Sequence, residues 1–271
     1  MISERKSTSG WQLETDSAAA YERYLVPAIF ASSAERLVER VALEPDERVL
    51  DVGCGTGIVA RTAVGRVGTG GYVAGVDLNE EMLAVARPAA PEVDWRVGDA
   101  AALPFEDGRF DAVLCQQALQ FMPDPVAALR EMRRVMIPDG RTAIVVCRSL
   151  ARNAGYEALA AAIERHTSAE VGAGARSPFR PWGVAELRAV MADAGFADVH
   201  VSIDLAGVRY PSAEEFLRWE VASSPLAQVF LSMTRATLGE ALADVARTVG
   251  PYADDDGILV PLETFVALGR R

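Results

Sequence analysis

Short apolar segments alternate with amphipathic stretches through the first half of the chain. Each apolar segment is rich in β-branched and aliphatic residues, which is the pattern of a strand buried on both faces of a sheet. The candidate strands are Arg48 to Val52, Tyr72 to Leu78, Val93 to Val97, Phe110 to Cys115 and Thr142 to Cys147. Helical periodicity separates them, and this alternation predicts stacked β-α units that form a mostly parallel sheet covered by helices.

Two further strands and a helical insert are predicted in the last third of the chain. Ala197 to Leu205 alternates apolar with polar residues, and Ile258 to Leu268 forms another apolar run near the C-terminus. The insert from Ser212 to Val249 carries more apolar and aromatic surface than one surface helix pair needs. It is therefore either a small helical core of its own or a lid whose inner face shapes a substrate pocket.

Helical periodicity also appears outside the alternating units. From Ser17 to Val41 apolar residues recur at helical spacing, and Pro27 is expected to divide this stretch into two helices over the edge of the sheet. Later helices are expected from Ala154 to Arg165 and from Val184 to Ala194, with a loop rich in Gly, Ser and Pro from Gly172 to Trp182 between them.

These elements divide the chain into four segments. We expect an N-terminal helical cap over residues 1–45, the α/β core over 46–211, a helical insert or lid over 212–250, and the last strand of the core over 251–271. No internal repeat or low-complexity tract is present, so the pattern favours one core with additions.

Charge and composition narrow the partners. The formal net charge of −11 repels phosphate backbones, which argues against a nucleic-acid substrate. No apolar stretch approaches the roughly 20 residues of a membrane span, and Met1 to Thr15 is polar, so we expect a cytoplasmic protein without membrane contact. Cys54, Cys115 and Cys147 fit reduced packing residues, and the two histidines show no metal-ligand spacing. We expect a monomer or homodimer that binds no metal and acts on a small molecule.

The strongest chemical signal is a glycine turn directly after the first strand. Val49 to Gly57 reads Val-Leu-Asp-Val-Gly-Cys-Gly-Thr-Gly and passes into a helix near Ile58. Glycines let a ligand approach the backbone closely, and the following helix offers unpaired N–H groups to the ligand's polar end. A dinucleotide fold would place its third glycine at position 58, so Ile58 weakens the alternative of a nicotinamide-dependent oxidoreductase.

A second signal is Asp77 at the tip of the second strand, about twenty residues after the glycine turn. A carboxylate there can accept hydrogen bonds from both hydroxyls of a ribose. Asp77 could instead cap the helix that begins at Glu80, and the two roles do not exclude each other.

Five ordered motifs resemble those of the class I S-adenosylmethionine-dependent methyltransferases. They are the acidic-x-Gly-x-Gly-x-Gly turn from Asp51, the Asp77 tip, Val97-Gly98-Asp99-Ala100, the segment from Cys115 to Asp124, and the turn from Arg134 to Arg141, where Asp139 replaces the usual glycine. The resemblance implies a Rossmann-like, doubly wound sheet of seven strands, mostly parallel with one antiparallel strand near the C-terminus, plus N-terminal helices and a helical insert. It also implies S-adenosyl-L-methionine as cofactor and S-adenosyl-L-homocysteine as product.

The resemblance assigns roles to individual residues. Asp77 would bind the ribose, Asp99 the adenine amino group, and Leu78 and Met82 the adenine ring. The residues expected to bind the cofactor are Tyr24, Asp51, Gly53, Cys54, Gly55, Gly57, Asp77, Leu78, Met82, Gly98, Asp99, Ala100 and Gln116. The residues expected to bind the acceptor are Tyr21, Gln117, Gln120, Phe121, Phe216 and Trp219. For the two tyrosines and Met82, packing is an equally open interpretation.

The implied reaction is in-line displacement of a methyl group, in which the protein mainly aligns the acceptor. Many relatives carry a histidine near Gln120 or Phe121 that takes a proton from the acceptor, and this chain has none there. The catalytic residue is therefore unknown, and His166 is a weak candidate base because the helix before it follows the fifth strand. A protein that binds the cofactor without catalysis is the second alternative.

Overall fold

The computed structural model describes residues 12–271 of the 271-residue chain. Residues 1–11, and with them the start of the expected cap and most of the polar segment Met1 to Thr15, lie outside the described residues. Within the described part, eight strands form one sheet. They are β1 (Arg48–Val52), β2 (Tyr72–Asp77), β3 (Asp94–Val97), β4 (Phe110–Gln116), β5 (Met136–Cys147), β6 (Ala197–Tyr210), β7 (Ala253–Asp254) and β8 (Gly257–Arg270).

The strand order is β3-β2-β1-β4-β5-β8-β6, with the short β7 beside β8. Strands β3, β2, β1, β4 and β5 pair in parallel, whereas β8 is antiparallel to both β5 and β6. Along this seven-strand path the direction therefore reverses at β8, which confirms the predicted Rossmann-like sheet with one antiparallel strand near the C-terminus. The parallel strands bring their carboxyl ends to one edge, where ligands bind in open α/β sheets.

The two strands after β4 are longer than predicted. β5 begins at Met136, opposite Phe110, and a bulge that includes Asp139 separates this pair from the regular register at Arg141. Asp139 has φ +63°, a conformation that Asp tolerates in turns. β6 continues from Leu205 to Tyr210 because its late residues pair with the start of β8.

The helices cover both faces of the sheet. Those of the described residues are α1 (Thr15–Ala20), α2 (Ala31–Val41), α3 (Ile58–Val67), α4 (Glu80–Ala89), α5 (Pro125–Val135), α6 (Ala154–His166), α7 (Ala169–Arg176), α8 (Val184–Asp193), α9 (Ala213–Ala222), α10 (Ala227–Leu231) and α11 (Arg235–Val249). None of the helices within residues 12–271 is long and apolar enough to cross a membrane. The predicted helices after β5 and before β6 are confirmed as α6 and α8.

The prediction that Pro27 divides the N-terminal stretch into two helices is wrong. A π-helical segment, Tyr21–Phe30, contains Pro27 and joins α1 to α2 without a break. The wider π-helical turn has room for the proline ring, which would clash with the preceding carbonyl in a regular α-helix. The segment therefore stays helical and carries its residues over the ligand edge of the sheet.

The prediction of a loop from Gly172 to Trp182 is also wrong over its first half, because α7 continues to Arg176. A Cβ at Gly172 would lie 2.4 Å from the Cβ of Glu164. The glycine is therefore needed for close packing of α7 against α6, which a composition typical of loops does not reveal.

Within the described residues, the three largest apolar clusters hold the fold together. One packs α5 and α8 against one face of the sheet, and a second packs α2 and α3 against the other. The third joins α6, α9 and α11 to the extended ends of β6 and β8, with Phe216 and Tyr210 at its centre. Each fully buried aromatic contributes about 2 to 3 kcal/mol through the apolar area removed from water. The insert thus packs on the core, while the four segment boundaries predicted above stay a prediction.

Candidate active site

The glycine turn after β1 forms the floor of a cavity at the carboxyl ends of the parallel strands. Gly53 (φ +66°) and Gly55 (φ +54°) both adopt left-handed backbone conformations, which cost side-chain-bearing residues free energy. A Cβ at Gly53 would lie 2.4 Å from the Cβ of Ala118. The turn can therefore form only with glycine at Gly53, and it presents bare backbone to the cavity at Gly55.

Asp77 fixes the turn from the tip of β2. The backbone N–H of Gly55 donates to its Oδ2 at 2.8 Å, and the backbone N–H of Asn79 donates to its Oδ1 at 2.8 Å. Burial raises the pKa of this carboxyl, and the backbone donors oppose that rise. Because a carboxylate has about four acceptor positions, each oxygen of Asp77 keeps one for a ligand.

A cavity of about 250 Å³ extends from this turn to the helices. Its turn end is the part lined by the loops after β1, β2, β3 and β4, and it holds nine of the predicted cofactor residues. These are Gly53, Gly55, Asp77, Leu78, Met82, Gly98, Asp99, Ala100 and Gln116. Its helical end is the part lined by the π-helical segment, α6, α9 and β8. Four predicted acceptor residues also line the cavity, namely Tyr21, Gln117, Gln120 and Phe121.

Three glutamines lie where the two ends meet. Gln116 donates through Nε2 to the backbone oxygen of Phe30 at 3.1 Å, and Gln117 accepts from the thiol of Cys147 at 3.2 Å. The buried atoms Gln116 Oε1, Gln117 Nε2 and Gln120 Oε1 have no hydrogen-bond partner within the described part of the chain. An unpaired buried polar atom costs about 1 to 3 kcal/mol, so these atoms favour a polar ligand between the two ends.

The electrostatics of the cavity favour a cation. Among the described residues that line it there are three carboxyl groups, Asp77, Asp99 and Glu220, and no Lys, Arg or His. A wall with carboxylates and no compensating base gives a negative potential in a partly dry space. Among residues 12–271, no group of three or more His, Cys, Asp or Glu side chains is arranged to hold a metal ion.

Comparison with known proteins decides the family. A family model described as "Methyltransferase domain" matches residues 50–144. Nocamycin O-methyltransferase from Saccharothrix syringae is 33% identical over 209 residues, which cover 70% of this chain and 73% of that protein. The chain belongs to the class I S-adenosylmethionine-dependent methyltransferases. The cofactor of this family is S-adenosyl-L-methionine, as the motifs predicted.

Other similar proteins share parts of the chain or its fold. A 2-phytyl-1,4-naphtoquinone methyltransferase from Synechococcus elongatus is 39% identical over 110 residues, 38% of this chain and 47% of that protein. The chain therefore matches less than half the length of that relative. Phosphoethanolamine N-methyltransferase 2 from Haemonchus contortus, solved in complex with S-adenosyl-L-methionine, superposes with a TM-score of 0.61 at 20% identity over 94% of this chain and 57% of that one. This likeness shows a shared fold.

Three residues predicted to bind the methyltransferase cofactor, Asp51, Cys54 and Gly57, do not line the cavity. Asp51 is 1% exposed, and its Oδ2 accepts from the backbone N–H of Ala60 at 3.1 Å. Burial raises the pKa of Asp51 to about 7. Cys54 is buried under the turn, and a Cβ at Gly57 would lie 2.2 Å from the ring of Trp95. These three residues therefore stabilise the turn by packing and hydrogen bonding away from the cavity.

Tyr24, Trp219 and Phe216 also lie outside the cavity lining. The rings of Tyr24 and Trp219 stack on each other with centroids 5.3 Å apart, which joins the π-helical segment to α9. Phe216 is fully buried against Tyr156 and Tyr210. These aromatic residues therefore pack outside the cavity and stabilise the helices that form its helical end.

His166 is not brought to the cavity. Its Nε2 lies 2.9 Å from Oδ2 of Asp244, and its Nδ1 lies 3.7 Å from Oε2 of Glu240. Both carboxyl groups belong to α11, so His166 fastens the end of α6 to that helix.

Two residues of the site, Glu220 and Leu13, were not predicted from the sequence. Glu220 lines the helical end, and the signal available was its position four residues after Phe216 on an otherwise apolar helix face. Leu13 lines the turn end, and its carbonyl accepts from Nδ2 of Asn79 at 2.9 Å. No pattern marks Leu13, because its contact depends on a backbone carbonyl far away in sequence.

Proposed function

We propose that this chain transfers the methyl group of S-adenosyl-L-methionine to a small acceptor with a largely apolar body. One observation carries the proposal: a single cavity joins the bare-backbone turn and Asp77 to an apolar helical end, and no basic side chain of the described residues lines it. A site of this kind suits a cationic sulfonium at its middle and an uncharged acceptor beyond it.

The residues of the turn end fit the cofactor. Asp77 would hold the two ribose hydroxyls with the acceptor positions left on its oxygens. Leu78 and Met82 would flank the adenine ring, and Asp99 would accept from its amino group. Gln116 Oε1, which lacks a partner among the described residues, would accept from the ammonium group of the methionine part.

Bound S-adenosyl-L-methionine supplies a methyl carbon made electrophilic by the sulfonium. This chain's own residues then have to place an acceptor atom in line with that carbon and keep water away. Gln117 and Gln120 offer one donor and one acceptor atom that lack partners in the described residues. They would orient the acceptor's polar group, while Tyr21 and Phe121 would close the sides of the cavity.

The helical end favours an apolar acceptor. Apart from Tyr156, Glu220, Ser223 and Ser224, its walls are mainly aliphatic and aromatic. They include Leu25, Ile29, Leu159, Ile163, Phe179 and Leu262. The relatives named for nocamycin and for 2-phytyl-1,4-naphtoquinone also support a small organic acceptor.

The test uses the purified full chain. Calorimetry with S-adenosylhomocysteine should show binding at one site per chain. Incubation with S-adenosyl-L-methionine and a panel of phenols, hydroxynaphthoquinones and amines should release S-adenosylhomocysteine with at least one acceptor. Absence of binding would contradict the proposed cofactor site. Binding without turnover across the panel would contradict transfer to this acceptor class and favour a non-catalytic binding protein.

A further inference from the structure

A carboxyl group stands on the inner face of α9, at the helical end of the cavity. Glu220 follows Leu217 by three residues and Phe216 by four, and both of those side chains are fully buried. Residues at these spacings share one face of a helix, so α9 directs Glu220 inward. Glu220 lines the same cavity as Asp77, and none of the cofactor contacts proposed above uses it.

Two tyrosines form a hydrogen-bond chain that ends on this carboxyl. The hydroxyl of Tyr210 donates to Oε1 of Glu220 at 2.6 Å. The hydroxyls of Tyr156 and Tyr210 are 3.2 Å apart. Because the hydroxyl hydrogen of Tyr210 is used in the bond to Glu220, the hydroxyl of Tyr156 is the donor in the bond between the two tyrosines. Both donors are therefore oriented to stabilise the ionised form of Glu220.

The second oxygen of Glu220, Oε2, has no hydrogen-bond partner among residues 12–271, so it is the atom that can meet a ligand. The titratable groups electrostatically coupled to Glu220 are Tyr21, Cys147, Tyr156 and Tyr210, which come from four different elements. All four are neutral acids near pH 7, and no cation of the described chain pairs with the carboxyl. Burial raises the pKa of Glu220 to about 7, against the lowering effect of the Tyr210 hydrogen bond.

We propose that Glu220 is the general base of the reaction, and that it takes the proton from a hydroxyl group of an apolar acceptor. This inference rests on the proposed function and deepens it, because it names both the missing base and the acceptor class. An acceptor hydroxyl is a poor nucleophile until its proton is removed. A neutral amine needs no such help, so a base at this place favours an O–H acceptor.

The step balances in atoms and charge. The acceptor O–H bond breaks and its proton passes to Oε2 of Glu220, while the oxygen lone pair forms the new O–CH₃ bond. The C–S bond breaks, and its electron pair stays on sulfur. The products are a methyl ether, neutral S-adenosylhomocysteine sulfur and protonated Glu220. A carboxylate and a sulfonium are thus neutralised together, which is favoured in a cavity of low dielectric constant.

Tyr21 lines the same cavity as Asp77 and Glu220. Its pKa is raised by burial first, and then by the nearby charges of Asp77 and Glu22, of Asp51 and of Glu220. Because Asp77, Tyr21 and Glu220 line one cavity, a sulfonium bound between its two ends would favour the ionised form of Glu220.

The first test does not need the acceptor. A sulfonium near Glu220 favours its ionised form, so S-adenosyl-L-methionine should release protons on binding near pH 7, and neutral S-adenosylhomocysteine should release fewer. Calorimetry in buffers of different ionisation heats measures this difference. Glu220→Gln should remove most of it while changing the affinity for S-adenosylhomocysteine less than about threefold. Asp51 can also release a proton, but it does so equally in both proteins. If the difference in proton release between the two ligands is the same in wild type and in Glu220→Gln, the proposal is overturned.

The second test measures S-adenosylhomocysteine formation in single turnovers with phenols and hydroxynaphthoquinones as probes. The wild-type rate should rise with pH and level off near or below pH 7, because Glu220 must be ionised. Glu220→Gln should lower the rate about 100-fold or more. Glu214→Gln changes an exposed carboxyl on the same helix and should leave the rate and the pH profile unchanged.

The variant Tyr210→Phe distinguishes a role of Glu220 as the base from a purely structural role. It keeps Glu220 and removes its hydrogen-bond donor, so the midpoint of the pH profile should move upward while the plateau rate is largely kept. An unchanged profile in Tyr210→Phe, or a Glu220→Gln rate equal to wild type, would overturn the base role alone. Absence of turnover by the wild type with every probe would contradict the proposed transfer itself.

Discussion

The turn end and the helical end of the cavity are built in different ways. At the turn end, backbone N–H groups position the chemistry, as Gly55 and Asn79 do when they donate to Asp77. At the helical end, side chains from distant segments position each other, as Tyr156, Tyr210 and Glu220 do. The first arrangement leaves a short motif in the sequence, and the second leaves only scattered residues.

This difference separates what is shared from what is specific. A binding site built from backbone groups suits a ligand that every family member binds. The family model covers residues 50–144, which include the last three residues of β1, all of β2 to β4 and most of β5. The helical end lies mostly beyond that range, in α6, α9 and β8. Substitutions at the two ends should therefore affect different ligands.

Gly55→Val should have the largest effect, on cofactor binding. The left-handed φ of +54° strains any side chain, and a Cβ would lie 3.1 Å from Cε of Met82 with the rest of valine entering the cavity. We expect affinity for S-adenosylhomocysteine to fall at least about 1000-fold, or ~4 kcal/mol. Gly65→Val, in open space on α3, is the matched control and should bind normally. Comparable calorimetric affinities for the two variants would contradict the position of the turn.

Asp77→Ala should have the next largest effect. It would remove the two charge-assisted hydrogen bonds proposed to the ribose, each contributing about 1.5 kcal/mol or more, so the affinity for S-adenosylhomocysteine should fall about 100-fold. The exposed carboxyl of Asp255 gives the control Asp255→Ala, which should bind like wild type. If adenine alone and S-adenosylhomocysteine lose affinity equally in Asp77→Ala, the carboxyl does not hold the ribose.

The sequence predicted the turn end well because its constraints are local. β1 has the predicted boundaries, since an apolar run bounded by a glycine turn allows little else. Within the turn, however, the sequence could not separate Gly55, which faces the cavity, from Gly57, which packs against Trp95. That distinction depends on a side chain of β3, far along the chain.

The helical end was not predictable in the same way. The π-helical turn around Pro27 and the close contact of Gly172 with Glu164 depend on tertiary packing that overrides local propensity. Phe216 and Trp219 were expected at the acceptor and instead support Tyr210 and Tyr24 from behind. Glu220 is visible in the sequence as a charged residue on an apolar helix face, but its role depends on two tyrosines from other elements.

Asp51→Asn should change the pH dependence of stability rather than ligand specificity. The pKa of Asp51 is raised to about 7 in the folded chain and is about 3.9 in the unfolded chain. The stability from its protonated form is complete below about pH 4 and is lost as pH rises through 7. Wild type should therefore lose on the order of 2 kcal/mol more than Asp51→Asn between these pH values. Denaturant unfolding at a series of pH values measures this difference. The same pH dependence of the free energy of unfolding in both proteins would contradict a buried, protonated Asp51.

His166→Gln should have the smallest effect on the reaction. Its ring pairs with Asp244 behind the cavity, so the free energy of unfolding should fall by about 1 kcal/mol or less. The rate of S-adenosylhomocysteine formation should stay within about twofold of wild type. A large loss of rate with normal stability would show that His166 reaches the acceptor.

A crystal structure of the full chain with S-adenosylhomocysteine would show directly whether the glycine turn and Asp77 bind the cofactor. The ribose hydroxyls should lie within hydrogen-bond distance of the Asp77 carboxyl, and the sulfur atom should point past the glutamines toward Glu220. A ligand bound anywhere else, or side chains that fill the space above Gly53 and Gly55, would contradict this binding mode.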